Sequence, residues 1–230
     1  MIINSDDGHI LTHLGLGDQI TCNGLVRELY KRHPKLYVYC KRKYYYTIEF
    51  MYRDLPNLKV LPLEESEARN FVNMHNIKNF YDLGIGSDET VEKSFYKQAN
   101  VDFCKKFESF YVMRDYIRER TFAEKFNFIN NLYAFVHDDI QRNQIVQNQL
   151  IGKGLSIFRV DFGYTNNIFD YCSIIENANE IHTIESCFMF MIDLMKYNIP
   201  LYQHRYTKPI APFEYPTNCQ RWTIYNTHNN

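Results

Sequence analysis

The sequence lacks most of the features from which a function class is usually read. Its six cysteines, at positions 22, 40, 104, 172, 187 and 219, are dispersed and form no CxxC pair. Zinc ribbons and redox dithiols are excluded on spacing, and reduced thiols are the expected state. No excess of one charge is present: 26 Lys and Arg face 27 Asp and Glu, a net charge of −1. The whole molecule therefore makes no electrostatic case for nucleic acid. No stretch approaches the ~18–20 uninterrupted apolar residues of a membrane span. The opening Met1-Ile2-Ile3-Asn4-Ser5-Asp6-Asp7 carries two acids where a signal peptide has a basic region and an apolar run. A cytoplasmic location is the expectation. Glycine and proline are scarce, 9 and 7, and asparagine outnumbers the two together. That bias suggests an AT-rich coding genome and concerns origin rather than mechanism. What remains is an ordinary globular composition, 45% hydrophobic and 23% charged, over 230 residues. Such a length makes one large domain or two small ones.

The order of elements is more telling. A short apolar run, Ile10 to Leu14, leads into Gly15-Leu16-Gly17-Asp18 and a helical pattern through Ile20, Leu25, Val26 and Leu29. Strand patterns over 36–40, 58–63 and 77–83 alternate with helical patterns over 44–55 and 64–75. The residues from 87 to 128 have mostly helical periodicity, high charge density and no convincing strand. The strand–helix rhythm then restarts, with strands predicted over 132–136, 155–160, 180–184 and 199–203. Helices are predicted between them over 139–149, 168–177 and 185–197, and the tail from Tyr206 has no clear period. Alternation of this kind gives parallel sheets flanked by helices. The expected fold is α/β, two Rossmann-like halves facing a cleft, divided into residues 1–130 and 131–230.

His13-Leu14-Gly15-Leu16-Gly17-Asp18-Gln19 sits between the first strand and first helix, where ligands collect in open α/β sheets. A dinucleotide fingerprint would need glycine at Ile20 and no acid at the helix start, so a nicotinamide cofactor is not expected. Two readings of Asp18 are open: a helix cap, or a general base for an acceptor hydroxyl. The stretch from His13 to Ile20, followed by Asn23-Gly24-Leu25-Val26-Arg27, resembles the opening loop of GT-B glycosyltransferases. It is most similar to the heptosyltransferase-like group, in which a Gly-Asp pair opens the first helix. A weaker similarity is to the Gly-x-Gly-Asn-Gln loop of fucosyltransferases of related fold. The resemblance implies that Asp18 is the catalytic base. It also implies that His13, Gly15, Gly17, Gln19 and Asn23 line the loop and acceptor side.

In the second half, Glu185-Ser186-Cys187-Phe188 opens a helix after a strand, and free N–H groups at such an opening can hold phosphate oxygens. In heptosyltransferase-like enzymes the matching place carries Asp-Ser-Gly and contacts the nucleotide-sugar donor; here Glu185 and Ser186 match and Cys187 replaces the glycine. An ordinary N-cap by Ser186 is the alternative. Val136-His137-Asp138-Asp139, with Arg142 beyond, follows the first strand of this half. His137 and Arg142 are expected to face the donor diphosphate. Adjacent His and Asp residues seldom all reach one ion, so no metal site is expected. Lys41-Arg42-Lys43 beside three tyrosines forms the strongest basic cluster; it reads as a solvated loop or a phosphorylated-acceptor site.

The resemblance implies an inverting, metal-independent glycosyltransferase with no cofactor. Its co-substrate is a nucleotide-diphosphate sugar and its acceptor a glycan or other hydroxyl-bearing molecule. Neither nucleic acid nor a membrane span is expected. Two rivals are a nucleotide-sugar epimerase of the same fold, for which His13 and His182 are the residues to watch, and a non-catalytic carbohydrate- or nucleotide-binding module.

Overall fold

A computed structural model describes residues 4–12, 15–86, 90–126, 132–206 and 220–226. By its internal contacts the chain divides into two compact units, with the break between Met113 and Arg114. The first contains β1 (Gly8–Leu11), α1 (Leu16–Thr21), α2 (Asn23–Tyr30), β2 (Leu36–Cys40), α3 (Tyr45–Met51), β3 (Leu58–Pro62), α4 (Glu65–Met74), β4 (Asn79–Asp82), α5 (Val91–Gln98) and α6 (Lys105–Glu108). The second contains α7 (Tyr116–Ala123), β5 (Tyr133–His137), β6 (Ser156–Arg159), α8 (Cys172–Glu176), β7 (Glu180–Ile184), α9 (Cys187–Met195), β8 (Leu201–Arg205) and β9 (Thr223–Asn226).

Both sheets are parallel throughout, with strand orders β3-β2-β1-β4 and β6-β5-β7-β8-β9. Every residue of β1, β2 and β5 is buried. Central parallel strands are covered on both faces and so read as continuous apolar runs rather than alternating ones. Leu36 to Cys40 and Tyr133 to Val136 have that character, which is why these strands are legible in sequence.

Three expectations are corrected. First, residues 139–149 form no α-helix, only a 3-10 turn at Asn148–Leu150. Asp139 and Gln144 pair as an antiparallel bridge, and Asn143 takes φ +54°. Asp139 Oδ1 accepts the Arg142 N–H at 3.0 Å, which closes a turn. Ile140 and Ile145 are both exposed, so the segment has no apolar face to bury as a helix. Second, the tail contains a strand: β9 extends the sheet beyond β8. It is held by Asp193 of α9, whose Oδ1 accepts the Gln220 N–H at 3.0 Å and Trp222 Nε1–H at 2.8 Å. Third, the break falls before residue 130, because α7 belongs with the second unit. Arg118 makes two bonds to Asp170, at 2.5 and 2.9 Å, and Phe122 packs edge-on against Tyr171. No helix among the described residues is long and apolar enough to cross a membrane.

Candidate functional site

Each sheet has one place where the strand order reverses, between β1 and β4 in the first and between β5 and β7 in the second. Ligands in open α/β sheets bind outside the carboxyl ends of the strands at such points. The two loops singled out in the sequence lie at these two places.

In the first unit, Asp18 is the third residue of α1, and its Oδ2 accepts the Gly15 N–H at 3.0 Å. The carboxylate thus reaches back over the loop rather than capping from the N-cap position, which Gly15 holds. Gly15 has φ −83°, ordinary for any residue, but a Cβ there would stand 2.5 Å from Asp18 Oδ2. Glycine is needed for the close approach of the carboxylate, not for backbone freedom. Asp18 and Gly17 are half-buried.

The remaining first-loop residues divide. Gln19 is buried and donates from Nε2 to the Tyr39 carbonyl at 3.0 Å, tying α1 to the end of β2. Asn23 is buried as well. Its Oδ1 accepts the Tyr111 N–H at 3.0 Å and its Nδ2 donates to the Tyr111 carbonyl at 3.2 Å. Both amides therefore brace the fold instead of facing an acceptor. His13 lies outside the described residues. The break between α1 and α2 is closed by a residue that sequence reasoning missed. Tyr96 Oη donates to the Thr21 carbonyl at 2.9 Å and accepts the Leu25 N–H at 3.1 Å. Nothing local in the sequence links positions 71 or more residues apart, so only packing reveals this contact.

In the second unit, His137 ends β5 and Ser186 follows β7, and the fold brings them together: Ser186 Oγ and His137 Nδ1 are hydrogen-bonded at 2.9 Å. Ser186 occupies the N-cap position of α9 with extended backbone, yet makes no side-chain bond to the helix. The His137 ring is buried, packed 4.7 Å from Phe188, and Nε2 has no partner. Burial pushes its pKa down to about 4, partly opposed by Asp139, while Arg142 adds to the fall. Its imidazole is thus neutral at neutral pH.

Glu185 and Cys187 are half-buried at the same opening. Burial pushes the Cys187 thiol up to about 12 despite the nearby helix N–H groups, so it carries no thiolate. Phe188 is wholly buried, packing against Phe135, His137 and Tyr171, and belongs to the core rather than to a ligand face. Arg142 is not on a helix; its Nε donates to Asp139 Oδ2 at 2.6 Å, so its charge is already paired. Of the basic cluster at 41–43, Arg42 pairs with Glu67 at 2.7 Å in solvent. Phe162, missed in the sequence, is 54% exposed and stands edge-on 5.7 Å from the His137 ring. It borders a cavity of about 600 Å³ that Tyr164, Thr165, Arg118 and Lys125 also line. Among the described residues, no group of three or more His, Cys, Asp or Glu is placed to hold a metal ion.

No family model and no curated protein matches the chain in sequence. Solved structures do match it in shape. ADP-heptose lipopolysaccharide heptosyltransferase II of E. coli aligns over 95% of this chain and 90% of its own, with a TM-score of 0.57 at 11% identity. The fold is heptosyltransferase-like. A family 9 glycosyltransferase from Veillonella parvula aligns over 100% of this chain and 88% of its own, with a TM-score of 0.58 at 11% identity. The iron-containing dodecameric glycosyltransferase TibC of enterotoxigenic E. coli aligns over 87% of this chain and 58% of its own, with a TM-score of 0.53 at 11% identity. The heptosyltransferase-like fold agrees with the resemblance carried by the Gly15–Asp18 loop.

His182, the residue that would have favoured an epimerase, is fully buried in the middle of β7. Its Nδ1 is 3.0 Å from His204 Nε2, and its ring is stacked on Tyr202. It is a core residue of the sheet.

Proposed function

We propose that this protein is a glycosyltransferase that moves a sugar from a nucleotide-diphosphate donor to an acceptor hydroxyl with inversion and without a metal. The observation that carries the reading is the opening of α9. An N-cap serine whose hydroxyl is turned to a buried neutral histidine makes no side-chain bond to the first-turn N–H groups at the switch point of the second sheet, and the Cys187 thiol lies against those of Cys187 and Phe188. Such groups, with the positive end of the helix dipole, suit the oxygens of a diphosphate. The cavity bordered by Phe162 and Tyr164 adjoins His137 through Phe162 and has room for the planar part of a nucleotide.

Asp18 is the base in this reading. Held at one oxygen by the Gly15 N–H, its carboxylate is fixed in position at the carboxyl end of β1. As the acceptor oxygen attacks the anomeric carbon, the hydroxyl proton passes to Asp18 and the carbon–oxygen bond to the diphosphate breaks. A single displacement of this kind inverts the anomeric centre. The leaving diphosphate keeps both electrons of the broken bond, and the helix N–H groups stabilise the charge that develops there.

Donor binding and turnover test this in one series. Nucleoside diphosphates should raise the Tm by mass action, by about 2.7 kcal/mol of stability at a hundredfold excess over Kd. Ser186→Asp, which sets a like charge against the diphosphate, should abolish most of that shift while the free protein keeps its fold. Release of nucleoside diphosphate from a nucleotide sugar, with the sugar recovered on an acceptor, distinguishes a transferase from a binding module. An unchanged Tm shift in Ser186→Asp removes the α9 opening as the donor site.

A further inference from the structure

One arrangement of rings is built into both sheets. In the first, His9 of β1 is stacked on Tyr37, its in-register neighbour on β2, with ring centres 4.5 Å apart, and its Nδ1 is 2.8 Å from the Tyr39 hydroxyl. In the second, His182 of β7 is stacked on Tyr202, its in-register neighbour on β8, also at 4.5 Å. Its Nδ1 is 3.0 Å from Nε2 of His204. A second imidazole thus stands where the first sheet has a phenol. Both rings are fully buried, and the bond between them crosses the β7–β8 seam.

The partners assign the protons. Glu180 Oε2 accepts the Gly152 N–H at 3.0 Å and lies 3.2 Å from His182 Nε2, so that nitrogen carries a hydrogen and Nδ1 is the acceptor. His204 Nε2–H then donates to it, which leaves His204 Nδ1 bare, buried and without a partner. Among the described residues, the titratable groups around the pair are Glu180, Tyr202, Tyr206 and Tyr225, whose ring is 5.1 Å from His204. Val136 of β5, opposite His182, is apolar. The charges of the segment after β5 are engaged elsewhere or in solvent: Asp138 pairs with Arg159, Asp139 with Arg142, and Lys153 is exposed.

We infer that the His182–His204 pair is an acid-operated latch on the β8–β9 edge of the second sheet: protons entering both rings part β8 from β7. This is independent of the donor site proposed above. With one carboxylate beside it, the pair can hold one proton. Taken at His204 Nδ1, it is matched by passage of the Nε2 hydrogen to His182 Nδ1, and the charge rests beside Glu180. A second proton sets two N–H donors and two cations 3.0 Å apart, and the bond across the seam is lost. Burial holds His204 down to about 4 and lowers His182 too, which Glu180 partly opposes. Opened to water, each ring titrates near 6.5. The latch is therefore closed above about pH 6.5, and below it the opened fraction rises by up to about 100-fold per pH unit for two protons. Among the described strands β9 pairs only with β8, so it leaves with it.

Trp222 reports the opening, because its Nε1–H bonds Asp193 of α9 and must leave it when β9 departs. Tryptophan emission and far-UV circular dichroism of the full chain, followed without denaturant from about pH 8 to about 4, test the latch. The expected result is a red shift of emission with a slope of about two protons, complete before the dichroism is lost. His204→Phe keeps a ring against Tyr225 and takes no proton; His204→Gln also keeps an N–H for His182 Nδ1. Each should move the emission midpoint to lower pH and reduce the slope to about one proton. His9→Phe, which removes the corresponding ring of the first sheet, should leave the midpoint in place. Emission and dichroism that change together in the parent overturn the inference. So does a parental midpoint and slope in the His204 variants, or an equal displacement by His9→Phe. Should His204→Phe not fold, the parent's proton slope and His204→Gln decide the matter.

Discussion

The two halves carry the same architecture and treat the loop at their switch point in opposite ways. In the first, polar groups fix a helix that bears one carboxylate. Gln19 is tied to Tyr39, Asn23 to Tyr111, Tyr96 to both sides of the α1–α2 break, and Asp18 to Gly15. Arg27 adds a bidentate pair with Asp54, at 2.8 Å for each bond. In the second, the helix α9 is anchored at its far end, where Asp193 holds Gln220 and Trp222, and its opening is left uncapped by the one residue suited to cap it. The first half holds a charge in place, and the second leaves the first turn of α9 without a serine cap, a contrast that suits the base and the donor site proposed above. A base has to be accurately aimed, whereas a leaving diphosphate needs N–H groups not already bonded.

The largest expected effect separates charge from position in the first half. Asp18→Asn keeps the size of the side chain and an oxygen for the Gly15 N–H but cannot take a proton. It should lower kcat by about 10²–10⁴-fold with nucleotide binding and Tm close to the parent. Gly15→Ala leaves the charge and moves it, because the new Cβ collides with Asp18 Oδ2; its kcat should fall by about 10–100-fold. Steady-state rates at saturating donor decide both. A parental rate in Asp18→Asn makes that carboxylate a loop brace like its neighbours and ends the contrast between the halves.

Acid sharpens the comparison through stability. Burial pushes His9 in the first half, and His137 and His204 in the second, down to about 4. These rings are neutral when folded and charged when unfolded below about 6.5, so the unfolded chain binds more protons in that window. The stability they contribute is present above about pH 6.5 and is lost as pH falls toward 4, by about 1.4 kcal/mol per unit for each histidine. Trp222, the single tryptophan, lies in the second unit and reports on it by fluorescence. Its urea midpoint should fall steeply between pH 6.5 and 4. A flat profile would show that the histidines of that half are not held neutral.

A smaller effect is expected at Tyr96. Removing its hydroxyl leaves the Thr21 carbonyl and Leu25 N–H without their buried partner, at a cost of about 1–3 kcal/mol in Tyr96→Phe. Urea unfolding measures that loss. A fall in kcat larger than the loss of Asp18 alignment in Gly15→Ala would mean that the α1–α2 joint, rather than the glycine, sets the carboxylate's position.

The alternation of strands and helices was legible in local pattern, because buried parallel strands are continuous apolar runs and amphipathic helices repeat near 3.6. It marked Asp18 and Ser186 because glycine loops and helix openings have local signatures. The helix expected over 139–149 failed where Asp139 and Asn143 favoured a turn and no apolar face opposed it. β9 was illegible because a short strand with exposed Thr223 and Ile224 acquires its identity from pairing with β8 and from Asp193. Packing settled which polar residues brace the fold. Asn23 and Gln19 face inward because distant backbone groups meet them there, and His137 meets Ser186 because β5 and β7 are neighbours in the sheet although 49 residues apart in the chain. Side-chain roles of this kind depend on which unpaired donors and acceptors the packing brings within about 3 Å, and local pattern carries no record of that.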